Sequence, residues 1–72
     1  MNFVAVFEIW EDDKMQYIPV AMEGDYIPPQ DDMVLRQTLC EIVNEQYGYE
    51  TLDLIGVSVE GQMKWSDGHG SR

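Results

Sequence analysis

The first ten residues constrain the fold more than any other part of the chain. Residues 2–10 read NFVAVFEIW, and β-branched and aromatic side chains dominate this run without interruption by glycine or proline. The run therefore predicts a β-strand. Since successive side chains of a strand point to opposite faces, both faces would be largely apolar, which favours a central position in a sheet. The two predicted faces are Phe3, Ala5, Phe7 and Ile9 on one side and Val4, Val6, Glu8 and Trp10 on the other.

A hairpin and a stiff loop are predicted to follow. Residues 11–14 read EDDK, a polar turn, and residues 15–22 again have extended character. Pro19 lacks a backbone N–H, so this second strand is expected at a sheet edge, where the missing donor does little harm. Residues 23–30 contain one glycine and two consecutive prolines, which regular elements tolerate poorly, so a stiff loop is predicted there.

The next segment carries the signals of one amphipathic helix. Asp31 or Asp32 can cap its first turn through a side-chain oxygen, and both carboxylates complement the positive end of the helix dipole. Gly48 is a natural C-terminal stop. Between them, apolar residues recur at helical spacing and predict a helix of roughly four turns. The predicted apolar stripe is Leu35, Leu39, Ile42, Val43 and Tyr47, and the opposite, solvent-facing side is Gln37, Glu41, Asn44 and Glu45.

The C-terminal part returns to a strand pattern. Residues 51–60 predict a third strand, Gly61-Gln62 a two-residue turn, and residues 63–65 a short fourth strand. Residues 66–72 contain no apolar side chain and predict a flexible C-terminal tail. We therefore expect a single domain over residues 1–65.

The order strand, strand, helix, strand predicts an α+β fold. A helix between the second and third strands must cross one sheet face and return the chain beside the first strand, which gives the spatial order 2-1-3. We expect a small antiparallel sheet of three to four strands, in the chain order β-β-α-β, with one helix packed on one face. One helix leaves the other sheet face uncovered, so its apolar side chains face water unless they are covered, which a second copy of the chain or a partner protein could do.

Composition limits what such a domain can do. The chain has 72 residues, with 14 Asp and Glu against 4 Lys and Arg and a formal net charge of −10. So short a chain supports one small domain and has little room for a deep active site. Its hydrophobic content of 44% is nevertheless too high for a disordered acidic tail, so the chain is expected to fold.

Two features favour the cytoplasm as the location of the protein. Cys40 is the only cysteine and cannot form an intramolecular disulfide, whereas secreted domains of this size usually carry several. The apolar start is not preceded by the basic stretch of a signal peptide. No run approaches the roughly 18 apolar residues that cross a bilayer, so membrane association is not expected.

The chemistry-bearing residues do not form a catalytic pattern. Paired catalytic carboxylates need environments that separate their pKa values, but the acids here fall in a predicted turn and at a helix start, both well solvated. His69 lies between glycines in the tail, and Cys40 has no cationic setting and is expected to act as a small, partly buried apolar side chain. Calcium-loop and zinc-ligand spacings are both missing. We therefore predict no enzyme, no catalytic residue, no metal site and no cofactor.

The acidic surplus favours a protein partner with a basic surface. Direct binding of nucleic acid is not expected, because only 4 Lys and Arg can replace phosphate counterions. Spaced carboxylates instead present to a basic groove what a phosphate backbone presents, which is DNA mimicry. Solubility explains an acidic surface equally well. The candidate partner-binding residues are Glu11, Asp12 and Asp13 in the turn, and Glu41 and Glu45, four apart on the exposed helix face without a lysine at matching spacing.

In size, charge and order of elements, residues 2–65 resemble the small acidic proteins that bacteriophages and other mobile elements direct against host machinery. The length and the strand–strand–helix–strand order are similar to those of phage inhibitors of bacterial RNA polymerase, and the length and charge to those of many anti-CRISPR proteins. The resemblance implies a non-enzymatic inhibitor that blocks a basic nucleic-acid channel in the host cytoplasm. The alternative is a structural or regulatory module that self-associates, as a homodimer, or binds a partner through the uncovered sheet face.

Overall fold

A computed structural model describes residues 1–67 of the chain and contains four β-strands and one α-helix over that range. The order along the chain is strand, strand, helix, strand, strand. The elements are β1 (Asn2–Glu11), β2 (Lys14–Glu23), α1 (Met33–Tyr47), β3 (Glu50–Val59) and β4 (Gln62–Ser66).

The four strands form one antiparallel sheet with the spatial order β2-β1-β3-β4. β1 lies inside the sheet, as its two apolar faces predict, and pairs with β2 along its whole length, from Asn2 opposite Glu23 to Glu11 opposite Lys14. β2 lies at the edge, where Pro19 was expected. The predicted α+β class, the order 2-1-3 and the helix on one face are confirmed, and the short fourth strand is present beside β3.

Both hairpins close through two residues in the left-handed region of backbone space. Asp12 and Asp13 have φ values of 57° and 62°, and Glu60 and Gly61 have φ values of 52° and 82°. This is the geometry of type I′ turns, whose twist matches that of the paired strands. The second turn therefore lies one residue earlier than the predicted Gly61-Gln62, because the glycine takes the second central position, and Gln62 already pairs with Val59.

The hydrophobic core lies between α1 and one face of the sheet. The predicted inner face of β1 is confirmed, since its four apolar side chains are all buried. They are joined by side chains from the neighbouring strands and from the helix. A hydrogen bond from Trp65 Nε1 to the carbonyl of the buried Pro28 (2.7 Å) holds the loop before α1 against the sheet. The core residues are Phe3, Ala5, Phe7, Ile9, Val20, Cys40, Val43, Leu54 and Val57.

The ends of α1 agree with the sequence signals, but its buried face does not. Asp32 caps the first turn, with its carboxylate accepting from the Leu35 N–H at 3.0 Å, and Gly48 ends the helix in the left-handed conformation. The predicted stripe is only partly buried, since Tyr47 is 51% exposed and Ile42 is also exposed. The helix packs mainly against β3, so it is rotated toward that strand. Its buried residues are Arg36, Cys40 and Val43.

The ordered C-terminal part extends beyond the predicted domain limit at residue 65. Ser66 belongs to β4, and the Asp67 N–H donates to the Ile55 carbonyl at 2.9 Å, so these two residues are part of the sheet and not of a tail. The remaining predicted tail, residues 68–72 with His69, lies outside the described residues. Over residues 1–67, no helix combines the length and apolar character that crossing a membrane requires.

Candidate functional site

The predicted turn acids lie at the tip of the β1–β2 hairpin. Asp12 and Asp13 are its two central residues, and Glu11 faces Lys14 across the strands. Gln16 Nε2 donates to the Glu11 backbone carbonyl at 3.0 Å, which ties the turn to β2. All three carboxylates are exposed. The tip therefore presents three consecutive negative charges on a short, hydrogen-bonded turn.

The predicted helix acids lie on the outer side of α1. Glu41 and Glu45 are both exposed and one helical turn apart, as expected. Asn44, assigned from the sequence to the same solvent face, instead turns toward β3, where its side-chain oxygen accepts from the Thr51 N–H at 2.8 Å. The five predicted acids therefore lie on two different elements: the hairpin patch consists of Glu11, Asp12 and Asp13, and the helix patch consists of Glu41 and Glu45.

Arg36 forms a buried polar centre that the sequence pattern did not reveal. Its guanidinium donates from Nη1 to the Gln30 carbonyl at 2.7 Å and from Nη2 to the Leu54 carbonyl at 2.6 Å. The same Nη2 pairs with the carboxylates of Asp53, at 3.3 Å, and Asp67. Arg36 is only 5% exposed, so it links the helix, β3 and the end of β4 from inside the protein.

The burial of Arg36 leaves few positive charges on the surface that residues 1–67 present. Within residues 1–67, the ion pairs are those of Arg36 with Asp53 and with Asp67. Ten exposed carboxylates then face two exposed lysines, Lys14 and Lys64. Arg36, one of the few basic residues, therefore contributes to internal structure and not to the surface charge. The exposed acids are Glu11, Asp12, Asp13, Glu23, Asp25, Asp31, Glu41, Glu45, Glu50 and Glu60.

A polar groove of about 530 Å³ runs between α1 and the first half of β3. Glu41 borders it, while Arg36 and Thr51 contribute two buried atoms without a hydrogen-bond partner, Nε and Oγ1. Cys40 also lines it, and burial, with a smaller contribution from the Asp53 carboxylate, raises the pKa of its thiol to about 11. The thiol therefore stays protonated at neutral pH.

The sheet face opposite the helix is apolar and uncovered, as predicted. We call it the open face; it is built from the β1 and β2 residues that alternate with the core residues, together with Met63 of β4, which lies beside Gly56. Its large side chains are between 43% and 58% exposed. The sequence indicated Val4, Val6 and Trp10; the pairing register adds the β2 residues. The open face comprises Val4, Val6, Glu8, Trp10, Met15, Tyr17, Pro19, Ala21 and Met63, and in β3, between β1 and Met63, the residues Glu50, Gly56 and Ser58.

The residues missed from the sequence had only weak signals. Met15 and Tyr17 recur two apart in β2, but their face is known only once Met15 is seen opposite Trp10 and Tyr17 opposite Glu8. Arg36 precedes Cys40 by four positions and so lies on the same helical face. An arginine at such a position usually faces solvent, and its burial depends on partners far along the chain.

Comparison with protein-family models, with curated proteins and with solved structures found no match to this chain. Among residues 1–67, no three His, Cys, Asp or Glu side chains are grouped so that they could hold a metal ion. The candidate sites are therefore the two acidic patches, the groove beside β3 and the open face.

Proposed function

We propose that this protein is a non-enzymatic, acidic binding protein of the phage-inhibitor type. It engages a basic, nucleic-acid-binding surface of a host protein and imitates the charge of a phosphate backbone. The observation that carries the proposal is the surface charge: over residues 1–67, ten exposed carboxylates stand against two exposed lysines, and Arg36 is buried. Such an excess attracts a surface rich in lysine and arginine and speeds their encounter.

The helix patch supports a role in recognition. Glu41 and Glu45 are neighbours at i, i+4 spacing, so their repulsion costs the helix a few tenths of a kcal/mol. Gln37 and Tyr49 occupy the next positions at the same spacing, so no lysine or arginine lies at helical spacing from either glutamate. In the hairpin patch, Lys14 lies opposite Glu11, so Asp12 and Asp13 carry the surplus negative charge. Surplus charge of this kind is expected if a partner supplies the cations.

The test begins with affinity capture from a bacterial lysate on the immobilised protein. The captured protein is then purified and titrated at increasing NaCl concentration. We expect the dissociation constant to rise steeply between 50 and 500 mM NaCl, and nucleic acid to compete for the same surface. Binding that is indifferent to salt would refute the electrostatic mechanism.

Charge variants separate recognition from solubility. The double variant Glu41→Gln, Glu45→Gln is expected to weaken binding roughly five- to tenfold, mainly through slower association. The control is the double variant Glu23→Gln, Glu60→Gln, which makes the same change in net charge away from the helix acids. These two residues border one surface pocket on the sheet. Equal weakening by both double variants would show that only total charge matters, and no effect of either would leave the acids with a role in solubility.

A second candidate function is that of a protein-interaction module. The specific observation is the open face, on which Trp10, Met15 and Tyr17 are all more than 40% exposed. Aromatic and methionine side chains are enriched in the cores of protein interfaces. The two functions use different surfaces of the molecule, because the helix patch and the open face lie on opposite sides of the sheet.

A further inference from the structure

We propose that the open face is the interface of a symmetric homodimer. This inference builds on the second candidate function and does not require a basic host partner. In the dimer, the two sheets pack face to face, and the helix of each copy lies on the outside. Sheets pack in this way about 10 Å apart, with side chains of the two inner faces interdigitating.

The composition of the open face fits the core of an interface. Trp10 lies directly opposite Met15, and Tyr17 follows on the same face of β2. These three exposed side chains form a continuous apolar surface, with Met63 on the far side of the sheet. Interface cores are depleted in charge and enriched in aromatic residues and methionine, and homodimer interfaces are the most apolar of these. In a dimer with twofold symmetry, the same surface of each copy forms the interface, so this apolar surface would pack against itself.

Charges are placed mainly around this apolar surface and not within it. Glu8, opposite Tyr17, is the one carboxylate of the central part of the face. Glu23 and Glu50 stand at its two ends, beside Asn2 and Trp10 respectively. An apolar centre with a charged rim is the usual arrangement of a protein interface.

The area of the face is sufficient for a weak dimer. Strands of ten residues are about 33 Å long and lie about 4.8 Å apart, so three long strands and one short one present on the order of 550 Å². Two copies would then bury on the order of 1,100 Å², which is at the lower limit for a specific interface. Interfaces of this size are typical of weak, transient complexes, so we expect the dimer to be weak.

The charge of the protein gives the dimer an unusual dependence on salt. Each copy carries a net charge of −10, and its smallest dimension is 21 Å, so the two centres lie roughly 20 Å apart. This distance exceeds two Debye lengths at physiological ionic strength, where the Debye length is about 8 Å, but is similar to the Debye length of about 14 Å at 50 mM salt. Repulsion is therefore screened at high salt, and added salt should strengthen the dimer.

Sedimentation equilibrium of the purified protein, between 10 µM and 1 mM and at 50 and 500 mM NaCl, tests the proposal. We expect a monomer–dimer equilibrium whose dissociation constant falls at least tenfold between the two salt concentrations. A monomer under all these conditions, or association that salt weakens, would overturn the proposal. Binding of a basic host partner weakens with salt, so the two proposals fail independently.

Variants locate the interface. The double variant Met15→Thr, Tyr17→Thr keeps β-forming residues in β2, and we expect it to weaken dimerisation at least tenfold. Tyr26→Thr removes an equally exposed tyrosine from the loop before α1 and should leave the dimer unchanged. Glu8→Gln removes the central carboxylate and should strengthen the dimer. Circular dichroism checks that each variant is folded, and a dimer that persists in the folded double variant would place the contact elsewhere.

Discussion

Replacing Arg36 by methionine tests whether the buried guanidinium stabilises the fold by linking α1, β3 and the end of β4. Methionine keeps much of the length and apolar volume of the side chain but removes the charge and every donor. The buried Leu54 carbonyl then loses a charged hydrogen bond of 2.6 Å, and the Asp67 carboxylate, 14% exposed, loses its ion pair with Arg36. Asp53 is 36% exposed and regains water, so its pair with Arg36 contributes only a few tenths of a kcal/mol.

These losses give an expected destabilisation of about 3 kcal/mol. A hydrogen bond to a charged group is worth about 1.5–3 kcal/mol, and removing one partner of a fully buried ion pair costs about 3–5 kcal/mol. The partial exposure of both carboxylates places Arg36→Met at the lower end of that range. Domains of this size have total stabilities of roughly 4–10 kcal/mol, so the melting temperature should fall by roughly 15 °C.

Urea unfolding followed by tryptophan fluorescence measures this change, because the Trp65 ring centre lies 5.0 Å from the guanidinium carbon of Arg36. Lys64→Met is the matched control: it removes one positive charge from an exposed position and should change stability by less than about 0.5 kcal/mol. Arg36→Lys should recover part of the loss, since an ammonium group keeps the charge but not the forked geometry. A loss below about 1 kcal/mol for Arg36→Met, or one equal to that of Lys64→Met, would refute the structural role.

Three further predictions concern local features of the fold. Asp13→Gly should raise stability by about 1 kcal/mol in thermal unfolding, because glycine adopts the φ of 62° without strain; an unchanged melting temperature would contradict this. Burial raises the pKa of the Cys40 thiol from 9.0 to about 11, so the unfolded chain loses this proton first as pH rises. The free energy of unfolding should therefore fall between about pH 9 and pH 11. Cys40→Ala should reduce this fall, as measured by urea unfolding at a series of pH values. Asn44→Ala leaves the Thr51 N–H without its 2.8 Å acceptor and should cost about 1 kcal/mol, whereas Gln37→Ala, on the exposed side of α1, should cost almost nothing in the same assay.

Much of the fold was predictable because its signals are local. The nearly continuous run of apolar residues in 2–10 identifies both the strand and its central place, and the Asp32 and Gly48 signals identify the ends of α1. The exposure of Glu41 and Glu45 follows from the same helical spacing. The position of the second turn was one residue in error, because the choice between turn types depends on the pairing register of β3 and β4.

The rotation of α1 could not be predicted from the sequence. The apolar stripe contains Ile42 and Tyr47, and periodicity alone favours burying both. In the structure the helix lies over β3, so both are exposed. The helix residues that face β3 are the ones that are buried. Helical periodicity describes one element, whereas its rotation depends on the surface that it meets.

The sequence by itself determined the element types, the central position of β1, the uncovered sheet face and the excess of negative charge. Each of these follows from composition or from spacing within about fifteen residues. Only the tertiary structure decided that Arg36 is buried, since its partners Leu54 and Asp67 lie 18 and 31 positions away. It also decided which β2 side chains join Trp10 on the open face. Burial of a charge depends on groups that meet only when the chain is folded, and local sequence patterns do not contain that information.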